Sequence, residues 1–385
     1  MRCELKWMII LLLAAALPAI SAPQDGRARQ VDAIAGKAVQ PGDPGMAVLV
    51  KENERILFEK GFGVLRVGER ARITPETNFR LASVTKQFTA MAIMLLVRDG
   101  KLRYDATLSE LFPDFPAYGR VITVRHLLTH TSGLPDYEDL MEKEEKAHGP
   151  RWSPEHQIQD AEVLALLEKE TAGKFAPGTS WAYSNSGYVV LGLIVAKFSG
   201  TSYGDFLRQR IFLPLHMQNT LVYQKGQNEI PLRAYGHGLD KGKFLLTDQS
   251  STSATLGDGG IYSNLEDLSK WDDALRNHTL LSAQEMQPAL TPVKLADGSE
   301  PHWPPESDGD NLEPGKPVSY GFGWFLNSYE GHARMWHSGS TMGFRTVIER
   351  FWKDGLTIVI LCNRADLEPA KLALQFADLY LGKMK

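Results

Sequence analysis

The sequence predicts a mixed α+β fold: an antiparallel sheet drawn from both ends of the chain, flanked by helices, with a mainly helical stretch inserted between. Three observations carry this. Met46-Ala47-Val48-Leu49-Val50 and Arg55-Ile56-Leu57-Phe58 flank a polar Glu52-Asn53-Glu54 turn, the pattern of a hairpin. Near the other end, residues 321–326, 345–352 and 356–361 are further apolar runs, the last two joined by a Lys353-Asp354-Gly355 turn. Between these ends the apolar spacing changes to a helical period.

The elements follow in chain order. Arg2 and Lys6 precede an apolar run over 7–17 and the small residues Ala19-Ile20-Ser21-Ala22, so 1–22 reads as a cleavable secretory signal. The run is too short to cross a bilayer, which takes about 20 residues. Cleavage removes Cys3 and leaves Cys362 alone in an apolar strand, where it reads as buried, with no disulfide to form. Helices are expected from Ser83 to Asp99, with Gly100 as the stop, then over 123–130 with Thr123 as cap, 160–170, 187–199, 264–277 and 366–381. The polar stretches 135–156 and 296–317 read as loops beside a cleft. The expected organisation is a discontinuous sheet domain, 23–82 with 318–385, and a mainly helical domain, 83–317.

The formal net charge is −4 over 385 residues, with both signs mixed. The one dense run, Glu142 to Lys146, alternates in sign, so nothing points to nucleic acid. The chain has no G-x-S-x-G elbow, no H-E-x-x-H and no phosphate-binding G-x-x-x-x-G-K. No metal and no cofactor are expected.

What remains is a short list of reactive side chains. In Leu81-Ala82-Ser83-Val84-Thr85-Lys86, a serine and a lysine three apart share one helical face, one turn apart. A plain capping serine would favour Glu or Gln three residues on. Lysine is disfavoured at a helix N-terminus, and an amine beside a hydroxyl is a base beside a nucleophile. Two Tyr-Ser-Asn triplets follow, at Tyr183 and at Tyr262. After the second, Ser263 and Glu266 make a ready capping box for the next helix, which explains that triplet structurally. The first follows Pro177-Gly178 in a loop. Near the end stands Trp336-His337-Ser338-Gly339-Ser340, where Gly339 would let a substrate main chain come close.

In order, these clusters read S-x-x-K, Y-x-N and H-x-G. The chain resembles the serine β-lactamase-like superfamily, in the branch of class C β-lactamases, D-Ala-D-Ala carboxypeptidases, D-aminopeptidases and β-lactamase-fold esterases. Leu127-Leu128-Thr129-His130-Thr131-Ser132-Gly133-Leu134-Pro135, Gly257-Asp258-Gly259-Gly260-Ile261 and Asp267-Leu268-Ser269-Lys270-Trp271 look like the same family, and the likeness runs from about residue 45 to about residue 365. The resemblance implies a β-lactamase/transpeptidase-like fold, with the site in a cleft between the sheet and an all-helical domain. It implies Ser83 as nucleophile, with Lys86 and Tyr183 as the proton-transfer pair. Asn185 would bind the substrate's acyl amide or brace Lys86, and the Ser83 and Ser340 N–H groups would form the oxyanion hole. His337 stands on an expected edge strand where β-lactamases carry lysine. That change turns the expectation toward an ester, amide or peptide substrate, of carboxylesterase, carboxypeptidase or D-aminopeptidase type. A true β-lactamase and a non-catalytic binding or scaffold protein are the alternatives. Arg345 is a candidate for a terminal carboxylate.

Overall fold

The computed structural model describes residues 26–304 and 315–382. The expected leader 1–22, with Cys3, and the middle of the 296–317 stretch lie outside the described residues.

Six strands form the main sheet, in the order Arg55–Phe62, Met46–Glu52, Leu356–Cys362, Phe344–Phe351, His332–Thr341 and Phe325–Tyr329, with every neighbouring pair antiparallel. The two chain ends meet in its centre, where Met46 pairs with Cys362. Met46 to Val50 and Leu356 to Cys362 are all buried, which explains their unbroken apolar runs: both faces are covered. Alternate residues face opposite ways. Met46, Val48, Val50, Ile358 and Ile360 pack with the helices Gly26–Ala38 and Pro369–Tyr380, while Ala47, Leu49, Val359 and Leu361 join the larger core around helices Lys86–Arg98 and Asn185–Ser199. Cys362 is buried as expected, and burial pushes its thiol well up.

The helix Leu265–Arg276 is fastened to this sheet by buried charge. Lys51 Nζ donates to the Ser269 carbonyl at 3.0 Å and pairs with Asp273 at 2.6 Å. Asp272 accepts from Arg350 Nε at 2.7 Å and from Thr357 Oγ1 at 2.8 Å.

The expected helices stand at Lys86–Arg98, Val124–Leu128, Asp160–Glu168, Asn185–Ser199, Leu265–Arg276 and Pro369–Tyr380. Thr123 caps the second through its side chain. Three details differ. Part of the expected 135–156 loop is a helix, Tyr137–His148, capped by Asp136, whose carboxylate accepts the Glu138 N–H at 2.9 Å. The strand expected at 321–326 begins only at Phe325. Gly321 N–H closes a tight turn onto the Trp324 carbonyl at 2.8 Å, and Gly323 has φ +77°. A side chain on Gly323 would meet the Lys86 carbonyl at 2.8 Å. Finally, the cap before Leu265 is Asn264, whose side chain accepts the Asp267 N–H, and not Ser263. The Ser263 hydroxyl instead bonds Thr220 at 2.7 Å. Further elements include the helix Gly26–Ala38, a three-stranded sheet of Phe79–Arg80, Ile261–Ser263 and Leu221–Val222, a His237–Asp240/Lys243–Leu246 hairpin, and the short helices Leu108–Leu111, Tyr203–Leu207 and Ala283–Met286.

Candidate active site

Ser83 lies in a one-turn 3-10 segment, Ala82–Thr85, that leads straight into the helix Lys86–Arg98. Ala82 has φ +48°, a left-handed conformation uncommon for a residue with a Cβ. It is held because the turn packs against two strands, His332–Thr341 and Phe344–Phe351. The Cβ that Gly339 lacks would fall 2.2 Å from the Leu81 carbonyl and 3.2 Å from Ala82 Cβ. Thr346 Oγ1 donates to the same Leu81 carbonyl at 2.8 Å. The main chain that approaches Gly339 is thus the protein's own nucleophile turn.

Lys86 is fully buried. Its ammonium has three donors, and three acceptors meet it: Ser83 Oγ at 3.1 Å, Asn185 Oδ1 at 2.9 Å and the Asp258 carbonyl at 3.0 Å. A buried cation needs its donors satisfied, and here one acceptor is the proposed nucleophile. Asn185 opens the helix Asn185–Ser199 behind the cap Ser184, which places its amide on Lys86. Of its two expected roles, the brace is the one the geometry displays. Asp258 was legible only as part of a glycine-rich motif. Its contribution is a main-chain carbonyl, which no residue pattern announces.

Tyr183 puts its ring 4.9 Å from Lys86 Nζ. Its hydroxyl is buried and has no hydrogen-bond partner among the described residues. Tyr262, in contrast, is buried on its strand, with its hydroxyl accepting from Arg233 at 3.4 Å and from Gln249 at 3.5 Å. Burial pushes that phenol up to about 12.

His337 sits on the strand His332–Thr341, which is next to last in the sheet and not its edge. The outer strand Phe325–Tyr329 pairs only as far as Trp336, so from His337 onward the outer side carries no strand partner among the described residues. Nδ1 lies 2.6 Å from the Ser338 carbonyl, to which it must donate, and Nε2 accepts from Tyr320 Oη at 3.2 Å. Burial, reinforced by the Lys86 charge, pushes His337 down to about 3, so the ring is neutral. Ser340 lines the cleft with Ser83 and Asn185, beside Arg80, Tyr137, Glu138 and Asp258; Tyr137 and Glu138 belong to the 135–156 stretch expected beside a cleft and Asp258 to a quoted motif, while Arg80 had no signal in the sequence. Arg345 is not among the residues lining this cleft; its guanidinium donates to the Thr341 and Phe344 carbonyls. A roomier groove of about 400 Å³, between Leu275, Leu290, Met335 and Trp352, carries none of these groups. Among the described residues no cluster of His, Cys, Asp or Glu is arranged to hold a metal ion.

Comparison with known proteins agrees with this geometry. The family model described as Beta-lactamase matches residues 31–381. Penicillin-binding protein 4* of Bacillus subtilis (strain 168) is 33% identical over 345 residues, covering 86% of this chain and 71% of that protein. Among solved structures, the octameric penicillin-binding protein homologue from Pyrococcus abyssi superposes with a TM-score of 0.73 at 28% identity, over 92% of this chain and 76% of that one. The D-amino acid amidase from Ochrobactrum anthropi SV3 shares the fold, with a TM-score of 0.70 at 24% identity over 91% of this chain and 97% of that one. Matched by that family model over most of its length and by a relative 33% identical to it, the chain belongs to the beta-lactamase family and is a serine hydrolase of the serine β-lactamase-like superfamily.

Proposed function

We propose that this protein is an exported amide hydrolase, acting through an acyl-enzyme on Ser83 and selective for small substrates that carry a free amine, as a D-aminopeptidase or amino-acid amidase would. The reading rests above all on the buried Lys86 ammonium donating to Ser83 Oγ. With one proton fewer on the Lys86–Tyr183 pair than ammonium and phenol together would hold, Ser83 Oγ attacks the carbonyl while its proton passes to that pair. The oxyanion is stabilised by the Ser83 and Ser340 N–H groups. As the C–N bond breaks, Tyr183 returns the proton to the leaving nitrogen. Water then attacks the acyl carbonyl, giving its proton to the same pair, and the Ser83 ester bond breaks with Oγ reprotonated. The cleft would lie between the sheet portion, 23–82 with 318–385, and the mainly helical portion, 83–317.

The cleft's charge supports the substrate class. Glu138 and Asp258 line it, and suit an ammonium. Its guanidinium, Arg80, is buried and engaged through Nε with the Gly259 carbonyl at 3.2 Å and through Nη2 with the Ser253 carbonyl at 3.0 Å, while Nη1 has no hydrogen-bond partner among the described residues. A carboxypeptidase would want a cation for the terminal carboxylate, as would a β-lactamase, and a neutral His337 supplies none. A carboxylesterase is the second reading, since an ester needs less help at its leaving group. A non-catalytic scaffold would have no use for a buried lysine aimed at a serine.

The test compares D-phenylalanine amide, a short aryl ester and a peptide ending in D-Ala-D-Ala, with Ser83→Ala as blank. Ser83→Ala should lose about 1,000-fold or more in kcat; retention of more than about a hundredth of the activity would remove Ser83 as nucleophile. Tyr183→Phe should cost about 100-fold or more and Tyr262→Phe far less, and equal losses would undo the choice between the two triplets.

A further inference from the structure

One buried histidine has no part in the chemistry above. His130 is fully buried, in the Leu127–Pro135 motif, and has φ +60°. Its main-chain carbonyl accepts the Ala182 N–H at 3.0 Å. Its ring Nδ1 accepts the Ser184 N–H at 3.0 Å. These are the residues on either side of Tyr183. The imidazole also lies against the Tyr183 ring, with centroids 4.3 Å apart and planes 34° apart, nearer than His337 at 6.1 Å or Trp181 at 6.5 Å. The Tyr183 hydroxyl has no hydrogen-bond partner among the described residues, so its place is set by main chain and ring packing.

We infer that His130 is the positioning residue for Tyr183, fixing the main chain on both sides of the tyrosine and backing its ring beside Lys86. The inference rests on the proposed role of Tyr183 in proton transfer. To accept from Ser184, Nδ1 must be bare, so the proton sits on Nε2 and the ring is neutral. Burial first, then the Lys86 charge, hold His130 well below the ordinary histidine range, which keeps that tautomer available. The left-handed backbone at His130 turns its carbonyl and its ring toward the same segment, and such outliers persist only where the surroundings enforce them.

The experiment uses D-phenylalanine p-nitroanilide and D-phenylalanine p-nitrophenyl ester. Both give the same acyl-enzyme, but only the anilide nitrogen must gain a proton as it leaves. The ratio of the two kcat/KM values therefore reads proton delivery during acylation, and a loss of general stability does not move it. Tyr183→Phe should lower anilide kcat/KM about 100-fold or more, and at least about tenfold more than it lowers the ester. His130→Phe, which keeps a ring but no acceptor, should lower the anilide about 30-fold and the ester less than about fivefold. His130→Asn places Oδ1 where Nδ1 stood and tolerates positive φ, and should recover the anilide to within about fivefold of wild type. A normal ratio in His130→Phe with a collapsed ratio in Tyr183→Phe overturns the inference and leaves the proposed function intact. An unchanged ratio in Tyr183→Phe overturns both. Should His130→Phe fail to fold, nitrogen NMR of the ¹⁵N-histidine-labelled wild-type protein decides, whatever substrate the cleft takes. A bare Nδ1 and protonated Nε2 across neutral pH are expected, and an Nδ1–H tautomer overturns the inference.

Discussion

Gly339 shows how little room a single position in this site has. A methyl group there would fall 2.4 Å from Thr346 Oγ1 as well as 2.2 Å from the Leu81 carbonyl. Both are fixed, one on the neighbouring strand and the other in the turn that presents Ser83. Gly339→Ala is therefore expected to cost about 1–3 kcal/mol in a denaturant titration, and to lower kcat at least about tenfold by moving the nucleophile. A variant of normal stability and activity would mean the turn has slack that its contacts do not suggest. The residue types Ser83, Lys86, Tyr183 and Asn185 were readable because their chemistry depends on identity and spacing. The Asp258 carbonyl and His130 were not, because a main-chain acceptor leaves no trace in residue type, and a histidine that brackets a distant loop looks like any core histidine.

The elements were legible where the apolar period was clear. Asp160–Glu168 and Leu265–Arg276 were found by period alone, the cap of the second being Asn264 and not the expected Ser263. Tyr137–His148 was hidden because it is mostly polar, burying only Tyr137, Leu140 and Met141 and bonding outward through pairs such as Lys143–Glu170 at 2.6 Å. The strand start at Phe325 was misplaced because aromatic residues in the preceding turn look like strand residues. A packed helix also depends on groups that a periodicity pattern cannot weigh. Asp272 is buried among Lys51, Arg276 and Arg350, and although burial disfavours its charge, Arg350 and then Arg276 hold its carboxyl below the ordinary range. Asp272→Asn leaves them undercompensated. It should lower stability by about 3 kcal/mol or more, read as a fall in the urea midpoint, and a loss under about 1 kcal/mol would show that Asp273 carries the attachment.

Across the whole molecule, the C-terminal end of the described chain is fastened to the turn at Asp354 through His332. Its Nδ1 meets Asp354 at 2.9 Å and its Nε2 meets the Gly382 carbonyl at 2.8 Å, so both nitrogens face acceptors and the imidazolium is favoured, first by the Gly382 carbonyl and then by Asp354. A histidine raised in the folded state stabilises fully below its unfolded value near 6.5, and that contribution is lost as pH rises through the raised folded value. His332→Gln should therefore lower Tm more at pH 5.5 than at pH 9; an equal loss at both would mean the imidazolium contributes nothing. The same long reach governs the active site. Lys86 collects Ser83, Asn185 and Asp258 from segments far apart in the chain, and Ser340 arrives later still. A ribosome thus makes the nucleophile early and the enzyme late. Until the last strands close, the growing polypeptide holds an ordinary serine, and any fragment clipped before those strands is chemically silent.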